Sequence, residues 1–394
     1  MEQRSFAGKS QWYHETQSSQ NQSNIQPLLP EAAQVDDRFL LDLKVPESRL
    51  AADDAWLAVA RELSKILLPD QVETNRLQTL SHYERLTTAL TVAQVFGVQR
   101  LCNHYAARLA PESSSDSSRE TNRRLTQITQ FSRQLASQPT SISDISLAQL
   151  DECGLSLEDI VTFNQLIGFI GFQARTLAVL QAFDRLPVRQ IPGFTGQQDA
   201  DAELFRHRTV SWQPTLTPLE RRFASSEQIR ALEQAQSSSL LYDLSDLLAS
   251  DAGTLLALKQ LTHQLLPATE GLSSDDLRAM MLVSRINGSP SCFSDAAAAW
   301  QGEQGFPDAI RNGERALQTW SHNLPRERAL IQAIGILTRT PDKFSYAQLT
   351  SLFEQDFTEQ QAIRLLVGSA LAGWLNRLKV GLGHTHNELK TLPV

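Results

Sequence analysis

The stretch "GLSLEDIVTFNQLIGFIGFQAR" (154–175) decides the fold class. Ser156 suits the N-cap of a helix, and Asp159, three residues on, completes a carboxylate version of the capping box. The apolar run that follows, 160–172, is shorter than the roughly 20 residues that cross a bilayer. It also contains Asn164 and Gln165. The stretch therefore predicts a buried helix in the core of a protein that does not cross a membrane.

Related sequence recurs in the second half of the chain. Residues 147–175 match residues 346–377 if a three-residue gap is allowed, and residues 84–109 align without gaps on residues 276–301, at an offset of 192. Each half is predicted to contain a first helix pair, a loop, a long helix, an acidic turn and a final apolar helix. Two tandem copies of one helical unit can pack as an intramolecular pseudo-dimer. We therefore predict an all-α fold built by tandem duplication.

The domain boundaries follow from composition and periodicity. Residues 1–30 are rich in Gln, Ser and Asn and predict a disordered tail. From residue 53 onward apolar residues recur with the helical period. A segment with prolines and glycines, 183–208, indicates a connection between the halves. The predicted units are a tail at 1–30, a first repeat at 31–182, a linker at 183–234, a second repeat at 235–383 and a C-terminal tail at 384–394.

Charge and motifs exclude several classes of function. The 394 residues carry a formal net charge of −8 and no dense basic run, which disfavours binding to nucleic acid. Three dispersed cysteines do not suit a disulfide framework, and the N-terminus has no apolar secretory signal. We therefore expect a cytoplasmic protein. No nucleotide-binding or hydrolase motif occurs, and the pair His384 and His386 matches no zinc spacing. We expect neither a cofactor nor a metal.

The stretch "NGSPSCFSDA" (287–296) carries the candidate chemistry. Asn287 and Gly288 tolerate the left-handed conformation of a C-cap, and Ser289 and Pro290 suit the start of a new helix. Cys292 is thereby placed in the first helical turn, where unpaired N–H groups and the helix dipole favour a thiolate. Such a thiol can attack a peroxide or a disulfide. The competing interpretation is a buried cysteine that packs as a small hydrophobic residue.

This arrangement resembles the AhpD-like, carboxymuconolactone decarboxylase family, over roughly residues 50–180 and 235–380. Redox members of that family carry Cys-x-x-Cys-x-x-x-His at a helix start and a Glu one helix upstream. The resemblance implies a dithiol that supplies a nucleophile and a resolving sulfur, while Glu and His relay protons. In the second repeat the Cys, Cys, His and Glu positions are Ser289, Cys292, Ala296 and Leu277. In the first repeat they are Gly97, Arg100, His104 and Arg85.

Neither repeat keeps the dithiol, so two functions are predicted from different classes. In the first, Cys292 is a lone peroxidatic thiol that acts on a small peroxide or thiol substrate and is reduced by an external thiol. Asp295, one turn on, could accept a proton, Ser289 could donate a hydrogen bond to the sulfur, and His104 could reach Cys292 across the pseudo-twofold. In the second, the protein is catalytically inactive and binds a small molecule or a protein partner in the old pocket. The oligomeric state stays open.

Overall fold

The computed structural model describes residues 30–46, 55–112, 118–188, 196–267, 271–303 and 305–387. These residues are predominantly helical, and the only strands among them form one two-stranded sheet. The predicted all-α class is thereby confirmed in its main feature. Most of the predicted tail at 1–30, and residues 388–394, lie outside the described residues.

The first half contains six α-helices in its described part. They are α1 (Ala55–Leu67), α2 (His82–Phe96), α3 (Gln99–Leu109), α4 (Arg119–Ser137), α5 (Asp144–Glu152) and α6 (Leu157–Phe183). Short 3₁₀ turns stand at Pro30–Ala33 and Pro139–Ser141. Helix α2 packs against α3, α4 and α6, so that its apolar residues lie inside the first half.

The rest of the chain begins with strand β1 (Val210–Pro214) and ends with strand β2 (Gly383–Asn387). Between the strands lie α7 (Ser226–Gln236), α8 (Tyr242–Leu248), α9 (Ala252–Leu265), α10 (Ser274–Asn287), α11 (Pro290–Ala298), α12 (Phe306–Arg311), α13 (Glu314–Trp320), α14 (Pro325–Arg339), α15 (Tyr346–Phe353) and α16 (Glu359–Leu382). Further 3₁₀ turns stand at Ala202–Phe205, Arg221–Phe223, Ala249–Asp251 and Pro341–Lys343. Helix α10 packs against α11, α14 and α16.

The long helices α6 and α16 form the centre of the molecule and pack against each other. Helix α6 begins at the predicted N-cap, Ser156, whose hydroxyl accepts a hydrogen bond from the Asp159 N–H. The glycine at 168 allows close approach, since a Cβ there would lie 1.9 Å from the Trp374 ring. The Trp374 indole then donates to Gln165 Oε1 at 3.1 Å, which satisfies two buried polar groups inside the core.

Helix α6 is longer than the apolar run predicts, with 27 residues. By length and composition it is the one helix among the described residues that could cross a membrane. Within the protein, 94% of its most apolar window is buried. An apolar surface covered by protein on all sides is typical of a central core helix.

Two buried arginines connect the halves. Arg175 of α6 donates to the Thr338 carbonyl in the last turn of α14 at 2.7 Å, and Arg377 of α16 donates to the Ala136 carbonyl in the last turn of α4 at 2.9 Å. A cation at a helix C-terminus stabilises carbonyls that lack a helical partner. Burial lowers the pKa of both guanidinium groups, that of Arg377 to about 10, and both stack on the Phe96 ring.

The predicted linker and C-terminal tail differ from what the structure contains. Helix α7 begins inside the predicted linker, and β1, also within it, pairs antiparallel with β2 at the end of the described chain. Residues 384–387 therefore belong to a strand. A strand of five residues is too short to show its alternation in the sequence, and its partner is far away in the chain. The indole of Trp212 in β1 donates to the Lys379 carbonyl at 2.7 Å, which attaches the sheet to α16.

Candidate functional site

Cys292 lies in the first turn of helix α11, as predicted. Helix α10 ends with Gly288 in the left-handed conformation, at φ 75°, and α11 then begins with Ser289 as N-cap and Pro290 as its first residue. The Ser289 side chain makes no capping hydrogen bond, although its N–H donates to the Ser284 carbonyl at 3.0 Å. The sequence thus positions the thiol correctly by local rules alone.

The surroundings of Cys292 oppose the lowering of its pKa that the helix start predicts. Cys292 is partly exposed as a residue, but its thiol lies inward. Burial raises its pKa, Lys379 lowers it, and Asp295 raises it further, with a net increase. The expected lowered pKa is therefore not what the structure shows, because removing a thiolate from water costs more than the helix dipole returns.

The sequence did not identify Lys379 of α16, the cation beside this thiol. Its side chain is only 5% exposed, and its ammonium lies 2.6 Å from Asp243 of α8 and 3.7 Å from Asp295. It also lies 5.6 Å from the centre of the Trp212 ring. Burial lowers the pKa of Lys379, but Cys292, Asp295 and Asp243 together more than offset this and raise it. The lysine is therefore a fixed positive charge at neutral pH.

One signal in the sequence pointed to this lysine. In the α16 stretch "LAGWLNRLKVGL" (371–382), Lys379 stands among mainly apolar residues, with Asn376 and Arg377 as the other polar side chains. A lysine is rarely buried unless it is paired, so such a position indicates a nearby anion. Its partners Asp243 and Asp295 come from other elements and cannot be identified by spacing.

Asp295 and Ser289 flank the thiol on the same helix. Asp295 is one turn after Cys292, and its side chain is 52% exposed, so it faces both solvent and Lys379. Burial raises the pKa of this carboxyl, Lys379 lowers it, and Asp243 raises it, with a net increase. The buried Ser289 hydroxyl lowers the Cys292 pKa. It makes no hydrogen bond of normal geometry with any of the described residues, so its effect on the sulfur is weak.

His104 lies in a separate environment. Its Nδ1 makes a 2.8 Å hydrogen bond with the Ala32 carbonyl, and its ring meets Tyr105 edge-on. Burial lowers its pKa to about 4, partly opposed by that hydrogen bond. Every group recorded around it belongs to residues 32–108, whereas Cys292 is surrounded by α11 and α16. The structure does not bring His104 and Cys292 together.

A cavity of about 410 Å³ lies beside Asp295. It is lined by Leu272, Ser274, Leu277, Asp295, Ala298, Ala299 and Gln301, from the loop before α10, from α10, and from α11 and the segment that follows it. Leu277 is the residue at the family's Glu position, so this cavity occupies the region where the resemblance places a proton relay. Its walls combine leucine and alanine side chains with the polar groups of Ser274, Asp295 and Gln301, so much of the lining is polar.

The other cysteines and histidines are arranged differently. Burial raises the pKa of Cys102 to about 12, while Cys153 is partly buried at the end of α5. His384 Nε2 hydrogen-bonds with Asp144 and, at 2.9 Å, with Thr215 Oγ1. In the described ranges no three or more His, Cys, Asp or Glu side chains are grouped so that they could hold a metal ion.

No protein-family model matches the sequence, and no curated protein matches it. The AhpD-like resemblance therefore stays a prediction. The functional interpretation rests on the residues of this chain.

Proposed function

We propose that the chain is a tandem duplication of an AhpD-like helical unit. Equal spacing supports this: the N-caps Ser156 and Thr358, the turns Pro139–Ser141 and Pro341–Lys343, and the arginines Arg175 and Arg377 are each 202 positions apart. The carbonyls that these arginines reach, Thr338 and Ala136, differ by the same number and are exchanged between the halves. A pseudo-twofold axis produces such an exchange.

The spacing also refines the alignment of the halves near the thiol. The N-caps Ser81 and Ser273 are 192 positions apart, but the left-handed glycines Gly97 and Gly288 are 191 apart, since α10 has one residue fewer than α2. Beyond the glycines, Cys292 then corresponds to Leu101, and Asp295 to His104. Under this proposal only the second half has a cysteine at this aligned position, since the first-half Cys102 lies one residue further along α3.

We propose that the protein is a cytoplasmic, thiol-dependent oxidoreductase of peroxidase type, with Cys292 as its single redox sulfur. The observation that carries this is the buried ammonium of Lys379, which attracts a negative charge on Cys292 and is itself fixed by Asp243 at 2.6 Å. No such cation is recorded around Cys102. A thiolate beside a permanent cation is the form that attacks a peroxide. The free state of the three cysteines suits a reducing compartment.

The proposed cycle needs one external reductant. The Cys292 thiolate attacks one oxygen of a hydroperoxide, the O–O bond breaks, and the sulfur becomes a sulfenic acid while the leaving oxygen takes a proton from water or Asp295. An external thiol then attacks the sulfenic sulfur and releases water, which leaves a mixed disulfide. A second thiol releases the external disulfide and restores Cys292. Lys379 stabilises the thiolate in the first and last steps.

The test is the rate of reaction of the full chain with hydrogen peroxide and with an alkyl hydroperoxide, followed by sulfenic-acid trapping and mass spectrometry. Although burial raises the Cys292 pKa and makes the thiolate a minor form at pH 7.5, we expect the thiolate that forms beside Lys379 to react with peroxide faster than free cysteine, roughly tenfold or more overall. Cys292→Ser should abolish the fast phase. Cys153→Ser, the control at another partly buried cysteine, should leave it unchanged.

A second function is favoured by the cavity and by the net increase in the Cys292 pKa. The mixed lining, with Ser274, Asp295 and Gln301 beside leucine and alanine side chains, suits a small polar ligand that carries a hydrogen-bond donor for Asp295. In this role the protein would be a catalytically inactive AhpD-like protein that binds a ligand in the cavity beside Asp295. Peroxide reactivity of Cys292 no faster than that of free cysteine would favour this binding role and reject the oxidoreductase.

A further inference from the structure

The cavity beside Asp295 corresponds to a place in the first half that is filled by basic side chains. By the spacing above, Leu277 corresponds to Arg85, and Ala299 corresponds to Arg108. Arg85 is 8% exposed as a residue, and the Arg108 side chain is 9% exposed. The first half thus buries two long cations at positions where the second half has a leucine and an alanine that line a cavity of about 410 Å³.

The two arginines of the first half bond to backbone carbonyls where α1 ends. Arg85 Nη1 donates to the Leu67 carbonyl at 3.2 Å. Arg108 Nη2 donates to the carbonyls of Leu68 at 3.2 Å and Pro69 at 3.4 Å. The last carbonyls of a helix have no helical N–H partner and lie at the negative end of the helix dipole. The guanidinium groups therefore satisfy acceptors at and just after the end of α1.

The end of α9 repeats the end of α1 but lacks these donors. The sequence "LLP" occurs at 67–69, where α1 ends, and at 265–267, where α9 ends, and the two helices pack against each other. Among the described residues, none donates a hydrogen bond to the carbonyl of Leu265, Leu266 or Pro267. The second half thus has the acceptors without the arginines that bond to them in the first half.

Asp295 adds a negative charge to the wall of the cavity, at the position that His104 has in the first half. Its side chain is 52% exposed. The ammonium of Lys379 lies 3.7 Å from Asp295 but is closer to Asp243, at 2.6 Å. One ammonium is therefore shared by two carboxylates, and the solvent-facing side of Asp295 can accept hydrogen bonds from a second cation.

We infer that this cavity binds a small molecule with a guanidinium head, in the place that the arginine side chains occupy in the first half. A guanidinium carries a planar set of N–H donors, which suits the Asp295 carboxylate together with the carbonyls at the end of α9. The volume of the cavity lies within the range of small-molecule sites. The inference rests on the binding role proposed above, and it does not depend on whether Cys292 reacts with peroxide.

The test is the binding of butylguanidine to the full chain at pH 7.5 and low ionic strength, measured by isothermal titration calorimetry. Butylurea has the same alkyl chain with a neutral head and is the matched probe. Charge-assisted hydrogen bonds are about twice as strong as neutral ones, so we expect butylguanidine to bind roughly tenfold or more tightly than butylurea. Equal affinities for the two probes, or no binding of butylguanidine at millimolar concentration, would overturn the inference.

A charge-removing variant shows whether Asp295 recognises the cation. Asp295→Asn should weaken the binding of butylguanidine about tenfold and leave that of butylurea nearly unchanged. Asp308→Asn is the matched control, because it removes a carboxylate of nearly equal exposure, 51%, that does not line the cavity. It should change neither affinity. An equal loss in both variants would mean that the probe responds only to the net charge of the protein, and the site would be rejected.

A second variant fills the cavity in the way that the first half does. Leu277→Arg introduces the residue that the first half has at this position, and its guanidinium should abolish the binding of butylguanidine. Leu277→Met keeps an apolar side chain of similar volume and should retain it. Butylguanidine that binds Leu277→Arg as tightly as the wild type would reject the site. Butylurea that binds as tightly as butylguanidine, and is displaced by Leu277→Arg, would keep the binding role and reject only the cationic ligand.

Discussion

Helices α3 and α11 begin in the same way and have opposite electrostatic environments. Each follows a helix that ends at a left-handed glycine, Gly97 at φ 69° or Gly288 at φ 75°. On α3, His104 is buried and neutral, with its Nδ1 bonded to a backbone carbonyl. On α11, Cys292 lies beside a buried ammonium. Burial favours the neutral form of both side chains, but at Cys292 it is partly opposed by the positive charge of Lys379.

The difference shows how little of the chemistry depends on the helix start itself. Both helices offer unpaired N–H groups in their first turn, yet burial raises the Cys292 pKa and lowers that of His104. Burial favours the neutral form in both places. The cations at the two places have different origins: α16 contributes Lys379 to the thiol, where α6 has Leu177, whereas Arg108 and Arg38 act on His104. Contacts between elements that are distant in the sequence therefore decide which helix start can stabilise an anion.

The largest expected effect comes from the glycines that end the preceding helices. A Cβ at Gly288 would lie 2.1 Å from Thr140 Cγ2 and 3.0 Å from Ala200 Cβ, whereas at Gly97 the nearest atom, Asp342 Cβ, is 3.0 Å away. Both positions also require positive φ, which costs a non-glycine residue about 1–2 kcal/mol. We expect Gly288→Ala to lower the free energy of unfolding by about 3–4 kcal/mol and Gly97→Ala by about 1–2 kcal/mol in urea titrations.

A second substitution tests the cause of that difference. Thr140→Ser removes the methyl group that an alanine at 288 would meet first. In the double variant Gly288→Ala, Thr140→Ser we expect the cost to fall toward that of Gly97→Ala. Equal destabilisation by Gly288→Ala and Gly97→Ala in the wild-type chain would show that the two positions have equal room for a Cβ atom.

The next effect is a pH dependence that belongs to α3. His104 has an ordinary pKa of 6.5 and a folded pKa of about 4, so between these values the unfolded chain binds a proton that the folded chain does not. Its contribution to stability is therefore complete above pH 6.5 and is lost as the pH falls toward 4. The loss is about 3 kcal/mol at most, since one pKa unit corresponds to about 1.4 kcal/mol.

His104→Asn checks this in urea titrations at pH 4.5 and 7.5. An asparagine amide can still donate to the Ala32 carbonyl but does not titrate, so we expect the variant to lose clearly less stability on acidification than the wild type does. His207→Asn, which removes an exposed imidazole, serves as the control and should keep the wild-type slope. Wild type and His104→Asn with the same slope would mean that folding does not lower the His104 pKa.

Local features of the sequence predicted much of the backbone near the site. The N-cap at Ser156, the helix end at Gly288 and the start of α11 all follow from residues within a few positions of one another, and the structure has each of them. The sheet was missed because β1 and β2 pair across most of the second half. Helix α6 continues to Phe183, beyond the run that the sequence suggested.

The site itself was less predictable for a physical reason. The position of Cys292 is a local property, but its pKa depends on burial and on Lys379, which belongs to another helix. The suggestion that His104 reaches Cys292 needed the geometry between the halves, and the structure gives His104 different neighbours. Lys379 was not identified from the sequence, because its partners Asp243 and Asp295 belong to other helices. The spacing of residues along the sequence does not give the distances between side chains on different helices.

The smallest expected effect, and the one most specific to α11, comes from Lys379. Lys379→Met removes the largest influence that lowers the Cys292 pKa, so burial and Asp295 act more strongly on the thiol, and we expect that pKa to rise by about one unit. Alkylation by iodoacetamide at pH 7.5 should then slow roughly tenfold, because only the thiolate reacts. Leu177→Met changes the corresponding residue of α6 and should leave the rate unchanged, while Lys379→Arg should retain most of it. If Lys379→Met alkylates as fast as the wild type, the ammonium does not stabilise the thiolate, and the proposed contrast between α11 and α3 fails.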